Sequence, residues 1–175
     1  MFRIICVWLR LRRNGLNLKN RVIGMKTKAA IRSMRPEDID QIYEIETASF
    51  TSPWTKDSFY HELLENPYAH YLVIEKDGCL AGYCGIWIII DDAQITNIAI
   101  KPEYRGQSLG ETLFRSAIEL CREKKARRLS LEVRVSNHPA QSLYKKFGLQ
   151  AGGIRKQYYT DNGEDALIMW VTINE

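Results

Sequence analysis

Hydrophobic and polar positions fall into regular periods only after Met25, and the periods change along the chain. Ala29 to Arg35 predicts a short first strand. Pro36, Glu37 and Asp38 then open a helix, since proline suits a first turn and acids suit the positive end of the helix dipole. Ile39, Ile42 and Ile45 give that helix an apolar stripe. Thr51-Ser52-Pro53-Trp54 breaks it, and a second short helix runs to about Leu64 before Asn66-Pro67 stops the chain. His70 to Lys76 predicts a strand, Asp77-Gly78 a tight hairpin turn, and the apolar run from Cys79 to Ile90 its partner. Gln94 to Lys101 is a further strand.

The period then switches. Leu109, Leu113, Ala117, Leu120 and Cys121 lie at helical spacing between about Ser108 and Lys124. Leu129, Leu131, Val133 and Val135 share one face of a strand from Arg128 to Val135. Asn137 caps a helix running to Phe147, and Gly148 ends it in the left-handed conformation that glycine allows. Two final strands flank Asp161-Asn162-Gly163, the last from Ala166 to Ile173. The order β-α-α-β-β-β-α-β-α-β-β predicts an α/β (α+β) fold, a mixed central sheet of about seven strands flanked by helices.

Composition narrows the class. The 175 residues are 45% hydrophobic and 26% charged, which suits one globular domain and excludes a disordered or collagen-like chain. Cys6, Cys79, Cys84 and Cys121 form no Cys-x-x-Cys pair, and His61, His70 and His138 are scattered, so no metal site is expected. Free thiols suit a reducing cytoplasm. The net charge of +4 hides an asymmetry: residues 1–24 carry six basic groups and no acid, leaving the rest at −2. A slightly acidic domain excludes a nucleic-acid footprint. The run Ile4 to Leu9 is too short for a signal sequence or a membrane span. Residues 1–24 are therefore expected to be a basic extension outside the fold, and residues 25–175 a single domain.

Chemistry concentrates in two segments. Arg105-Gly106-Gln107-Ser108-Leu109-Gly110 sits at a helix start, where backbone N–H groups and the dipole attract an anion. It lacks the lysine and hydroxyl of a nucleotide P-loop, and alone it equally suits a glycine-rich helix entry with no ligand. In context, Asn97 to Gly110 resembles the acetyl-CoA motif of the Gcn5-related N-acetyltransferases. Leu131-Glu132-Val133-Arg134-Val135-Ser136-Asn137 and Leu143-Tyr144-Lys145-Lys146-Phe147-Gly148-Leu149 resemble the second half of that family's site. With Phe50-Thr51-Ser52-Pro53-Trp54 and Tyr158-Tyr159, they are most similar to the ribosomal-protein-alanine group of that family. One departure is visible: Ser108 stands where the motif usually has its first glycine.

The resemblance implies a transfer of acetyl from acetyl-CoA to the N-terminal α-amine, of alanine, on a basic ribosomal protein, with no metal. It implies that Ile98, Ala99 and Ile100 meet the pantetheine arm and thioester. Gly106, Gln107, Ser108, Leu109, Gly110 and Glu111 would cradle the pyrophosphate, and Asn137 would bond the cofactor. Glu132 would be the general base and Tyr144 the general acid. The physics is consistent, because an α-amine with a pKa near ~8 is largely ammonium at pH 7 and must lose a proton to attack. Taken singly, Glu132 reads more readily as a solvated glutamate paired with Arg134 or Arg128, and Tyr144 more readily as a core aromatic. Residues 36–66 carry eight acids against one lysine and residues 101–128 a net +4, which suits a basic substrate and an anionic cofactor, or simply solvated helix faces. Acetylation of another amine (polyamine, antibiotic or lysine) and a non-catalytic acyl-CoA-binding module remain alternatives.

Overall fold

The computed structural model describes residues 29–174; residues 1–28 and 175, and with them the expected extension 1–24, lie outside the described residues. The strands are β1 (Ala30–Ser33), β2 (Ala69–Lys76), β3 (Cys79–Ile89), β4 (Asp92–Ile100), β5 (Arg128–Arg134), β6 (Gln150–Tyr159) and β7 (Glu164–Thr172). The helices are α1 (Ile39–Ser49), α2 (Lys56–Leu64), α3 (Leu109–Glu123) and α4 (His138–Lys146). Seven strands form one sheet in the order β1-β2-β3-β4-β5-β7-β6. Among them β4–β5 is the parallel pair, and the other neighbours are antiparallel.

The sheet separates two apolar layers, and alternation along β2 and β3 assigns residues to each. Leu72, Ile74, Ala81, Cys84 and Ile86 face α3, which buries Leu109, Leu113, Phe114, Ala117, Ile118 and Cys121 against them. Tyr71, Val73, Leu80 and Tyr83 face the other way, onto Ile39, Ile42 and Ile45 of α1 and Phe59 of α2. Being covered on both faces makes β2 and β3 read as nearly continuous apolar runs rather than alternating ones.

The boundaries moved for identifiable reasons. β1 ends at Ser33, and Pro36–Asp38 is a 3-10 turn rather than the first turn of α1. Asp38 fixes that turn: its carboxylate accepts from Arg32 at 2.6 and 2.9 Å and from the Arg35 N–H at 2.8 Å. Arg32 holds the carboxyl below its ordinary value despite burial. The hairpin at Asp77 and Gly78 has both residues at positive φ, as such a turn requires. Asn137 caps α4 by accepting from the Ala140 N–H at 3.2 Å, and Gly148 follows it at φ +85°.

Candidate active site

The cleft originates in a strand defect. β4 and β5 pair only over Asp92–Ile95 with Arg128–Leu131, after which β4 continues beside β3 to Ile100 and β5 beside β7 to Arg134. Gly85 faces Asn97 while Ile86 faces Ile95, so Thr96 is an extra residue, and such a bulge bends its strand away from the neighbour. A Cβ at Gly85 would overlap Thr96, Asn97 and Tyr71, which explains the glycine opposite the bulge. The gap is a cleft of about 620 Å³. Along Thr96–Ile100 the β5-facing edge of β4 has no strand partner, which leaves backbone groups for an extended ligand, although the Ile100 carbonyl accepts from Arg105 Nε at 2.9 Å.

Glu132, Tyr144, Asn137 and Ile98 all line this cleft. The Glu132 carboxylate, only 9% exposed, accepts from Gln94 Nε2 at 3.0 Å and pairs with Arg155 at 3.2 Å. The pairing with Arg134 or Arg128 weighed from sequence does not occur. Arg128 reaches Asp92, and Arg134 is committed to Asp161 and Glu164. Tyr144 is buried against Phe114 at 5.0 Å, and burial raises its hydroxyl well above its usual value, so it stays protonated. The Asn137 side-chain oxygen is used by the helix cap, leaving its amide nitrogen for a ligand.

Gly106 to Glu111 form the turn into α3 and do not line the cleft just described. Gly106 has φ +73° and Ser108 φ +59°, a left-handed pair of residues that turns the chain into the helix. Ser108 occupies the N-cap without a side-chain cap bond, and its carbonyl accepts from the Thr112 N–H at 3.1 Å. The Glu111 carboxylate is offset by Arg115 and Lys146, both at 3.3 Å, so this end of α3 stays open to an anion. A left-handed serine is strained by roughly 1–2 kcal/mol. Ser108→Gly is therefore expected to raise the melting temperature by about 1–4 °C, the unfolded-state entropy of glycine taking back part of the gain. Differential scanning fluorimetry checks this, and a lower melting temperature would show that the serine is not strained.

Two loops roof the cleft. Phe50–Trp54 joins α1 to α2, and Tyr158–Asn162 leads from β6 into β7; Thr51 Oγ1 donates to the Asp161 carboxylate across the opening. Arg134 fastens the second loop through Asp161 at 2.8 Å and Glu164 at 3.0 Å, and stacks on Tyr159 at 3.9 Å. Bonds from Ser136 and then Arg134 lower the Glu164 carboxyl to about 2, while burial pushes Tyr159 up to about 12.

Glu46 is the residue that pattern reading passed over. It is 2% exposed, lines the cleft, and accepts from the Trp54 N–H at 2.9 Å and from the Tyr83 hydroxyl. Asn97 Nδ2 donates to that same hydroxyl at 3.2 Å, and Thr96 donates to Asn97 at 2.9 Å. One buried chain thus links the α1–α2 loop to the β4 bulge. The available signal was spacing: Glu46 continues the Ile39, Ile42 stripe at the i+7 position, a charge on an apolar face. Gln94 and Arg155 carried no such signal.

Residues 39–149 match the model of the acetyltransferase (GNAT) family. A Bacillus subtilis protein named as a candidate ribosomal protein bS18-alanine N-acetyltransferase is 89% identical over 151 residues, 86% of this chain and all of that protein. The ribosomal protein bS18-alanine N-acetyltransferase of Escherichia coli K12 is 33% identical, over 82% of this chain and 97% of that one. The crystal structure of an Escherichia coli ribosomal-protein-S18-alanine N-acetyltransferase superposes with a TM-score of 0.78 at 31% identity, covering 85% and 96% of the two chains.

Proposed function

The chain belongs to the acetyltransferase (GNAT) family, and we propose that it transfers acetyl from acetyl-CoA to the α-amine of an N-terminal alanine on a small-subunit ribosomal protein. The Escherichia coli relative named above is a bS18-alanine N-acetyltransferase, which makes bS18 the first substrate to try. The observation that carries the reading is the convergence of Glu132 and Tyr144 in one cleft, beneath the Phe50–Trp54 and Tyr158–Asn162 loops.

Each residue then has a task. Glu132, directly or through a water, takes a proton from the ammonium so that its nitrogen can attack the acetyl carbon. The C–N bond forms, the C–S bond breaks, Tyr144 gives its hydroxyl proton to the departing thiolate, and the second proton shed by the nitrogen returns through water to Tyr144. Burial keeps that proton on Tyr144 across the working pH range. The unpaired edge of β4 at Ile98, Ala99 and Ile100 suits the pantetheine arm, with Arg105 already bonded to the Ile100 carbonyl at 2.9 Å. The turn from Gly106 to Glu111 suits the pyrophosphate. Direct transfer is favoured over an acetyl-cysteine, because the Cys84 and Cys121 thiols are buried and raised by burial, Cys121 to about 12. We assign this activity to residues 25–175 and place it in the cytoplasm with its ribosomal substrate. No helix among the described residues is long and apolar enough to cross a membrane.

A peptide with a free N-terminal alanine and basic residues downstream is expected to be acetylated on its α-amine. That amine is ~2.5 pKa units below lysine, so Glu132 has an easier proton to remove. Fragmentation mass spectrometry locates the acetyl group. Acetylated lysines, or preference for a polyamine added in competition, would overturn the substrate reading; failure to turn over acetyl-CoA with any amine would favour a binding module.

A further inference from the structure

A second cavity, of about 500 Å³, opens between α2 and β3 and shares Trp54 with the catalytic cleft. Trp54, Trp87, Asp57 and Glu62 are among the residues that line it. Glu62 is 7% exposed. It accepts from Trp87 Nε1 at 2.5 Å and from Asn66 Nδ2 at 3.2 and 3.3 Å, yet all of these donors are neutral. Among the described residues no cation pairs with Glu62 or Asp57. Lys56 on the same helix turns to Asp40, and His61 to Glu65. Asp38, the other buried carboxylate of the α1–α2 side apart from Glu46, has Arg32 as its counter-ion. A buried carboxylate with no counter-charge, in a cavity that two tryptophans also line, suits a guanidinium, which stacks on indole and bonds a carboxylate.

We propose that this cavity is a subsite for an arginine side chain of the substrate, a few residues downstream of the acetylated amine. The proposal rests on the protein N-terminal acetylation reading above. The register supplies the distance. Trp87 of β3 faces Gln94 of β4, and the Gln94 side chain bonds Glu132 of β5, so all three share one face of the sheet. At ~4.8 Å per strand spacing and two residues along β5, Trp87 lies about 10–12 Å from Glu132. An extended peptide covers ~3.3 Å per residue, which places the arginine at about the third to fifth position. Trp54, common to both cavities, lies on the path.

The test walks a single arginine through positions two to eight of an otherwise neutral peptide beginning with alanine, with citrulline at each position as the uncharged isostere. Arginine at the third to fifth position is expected to lower KM about tenfold relative to citrulline, the size of a desolvated cation–aromatic contact. Glu62→Gln keeps an acceptor for the Trp87 N–H and is expected to collapse that ratio; Asp57→Asn, on the surface, is expected to halve it or more. Glu44→Gln removes the same charge from α1 and is expected to leave the ratio unchanged. Tryptophan fluorescence with coenzyme A present reads arginine-dependent binding even where no acetyl is transferred. Equal KM and equal binding for arginine and citrulline peptides overturn the subsite while leaving the acetyltransferase reading intact. An arginine advantage independent of position, or equally reduced by Glu44→Gln, shows general attraction and overturns it too. So does an advantage seen only after residues 1–24 are deleted, since the chain's own arginines would then be the occupant.

Discussion

Replacing Glu132 with glutamine is expected to lower turnover by about 10²–10⁴-fold while acetyl-CoA affinity stays nearly constant, as removal of a general base does. The substitution is conservative in place: a glutamine oxygen can still accept from Gln94, whose bond at 3.0 Å holds the side chain against the β4 edge. The pair with Arg155 is lost, but Arg155 is half exposed and returns to water. The remaining activity should rise with pH, because an α-amine with a pKa near ~8 deprotonates unaided as the pH passes that value. Steady-state rates from pH 6 to 9, with calorimetric binding of acetyl-CoA as the companion measurement, check both halves. Full activity at pH 7 would move the base elsewhere, with Glu46, a buried carboxylate that also lines the cleft, first in line.

Glu46→Ala is expected to lower the melting temperature by about 5–15 °C at pH 7. The loss follows from leaving two buried donors, the Trp54 N–H and the Tyr83 hydroxyl, without an acceptor at ~1–3 kcal/mol each. Glu46→Gln keeps one acceptor and has a pH dependence of known sign. Burial raises the Glu46 carboxyl in the folded protein above its unfolded value near ~4.3. The folded state therefore holds this proton more tightly. Its stabilising contribution is complete below the unfolded value and is lost as pH climbs through the folded one. Glutamine does not titrate, so the penalty of Glu46→Gln should shrink between pH 4.5 and pH 8. Thermal melts across that range decide it; a penalty that grows with pH would show that the carboxylate is held as an ion by its donors. Because the Trp54 loop hangs on Glu46, peptide KM should rise in both variants.

Patterning made the sequence of elements readable because each depends on neighbours a few residues away. The α3 stripe from Leu109 to Cys121, the Asp77-Gly78 turn, the Asn137 cap and the Gly148 stop are all local commitments. Where prediction slipped, a specific ion pair or strand pairing that periodicity does not record had intervened. Arg32 and Arg35 hold Asp38 and turn the expected start of α1 into a 3-10 turn. The final strand begins at Glu164 because pairing with Tyr159 of β6 extends it.

The site divides the same way. Sequence alone determined that a strand–turn–helix with a glycine-rich entry precedes a strand bearing Glu132 and a helix bearing Tyr144, and motif resemblance pointed to a reaction for them. Only the tertiary structure decided that the Thr96 bulge parts β4 from β5, putting Glu132 and Tyr144 into one cleft. It also decided that Glu132 answers to Gln94 and Arg155, that Glu46 is buried beneath the Trp54 loop, and that Glu62 is buried against Trp87 without a counter-ion. The reason is physical: helix and strand periods encode which face of an element is apolar, whereas ion pairs and buried carboxylates depend on which faces meet. Such meetings can join residues far apart in the chain, 37 positions for Tyr83 with Glu46 and 110 for Thr51 with Asp161. Local periodicity carries no record of them.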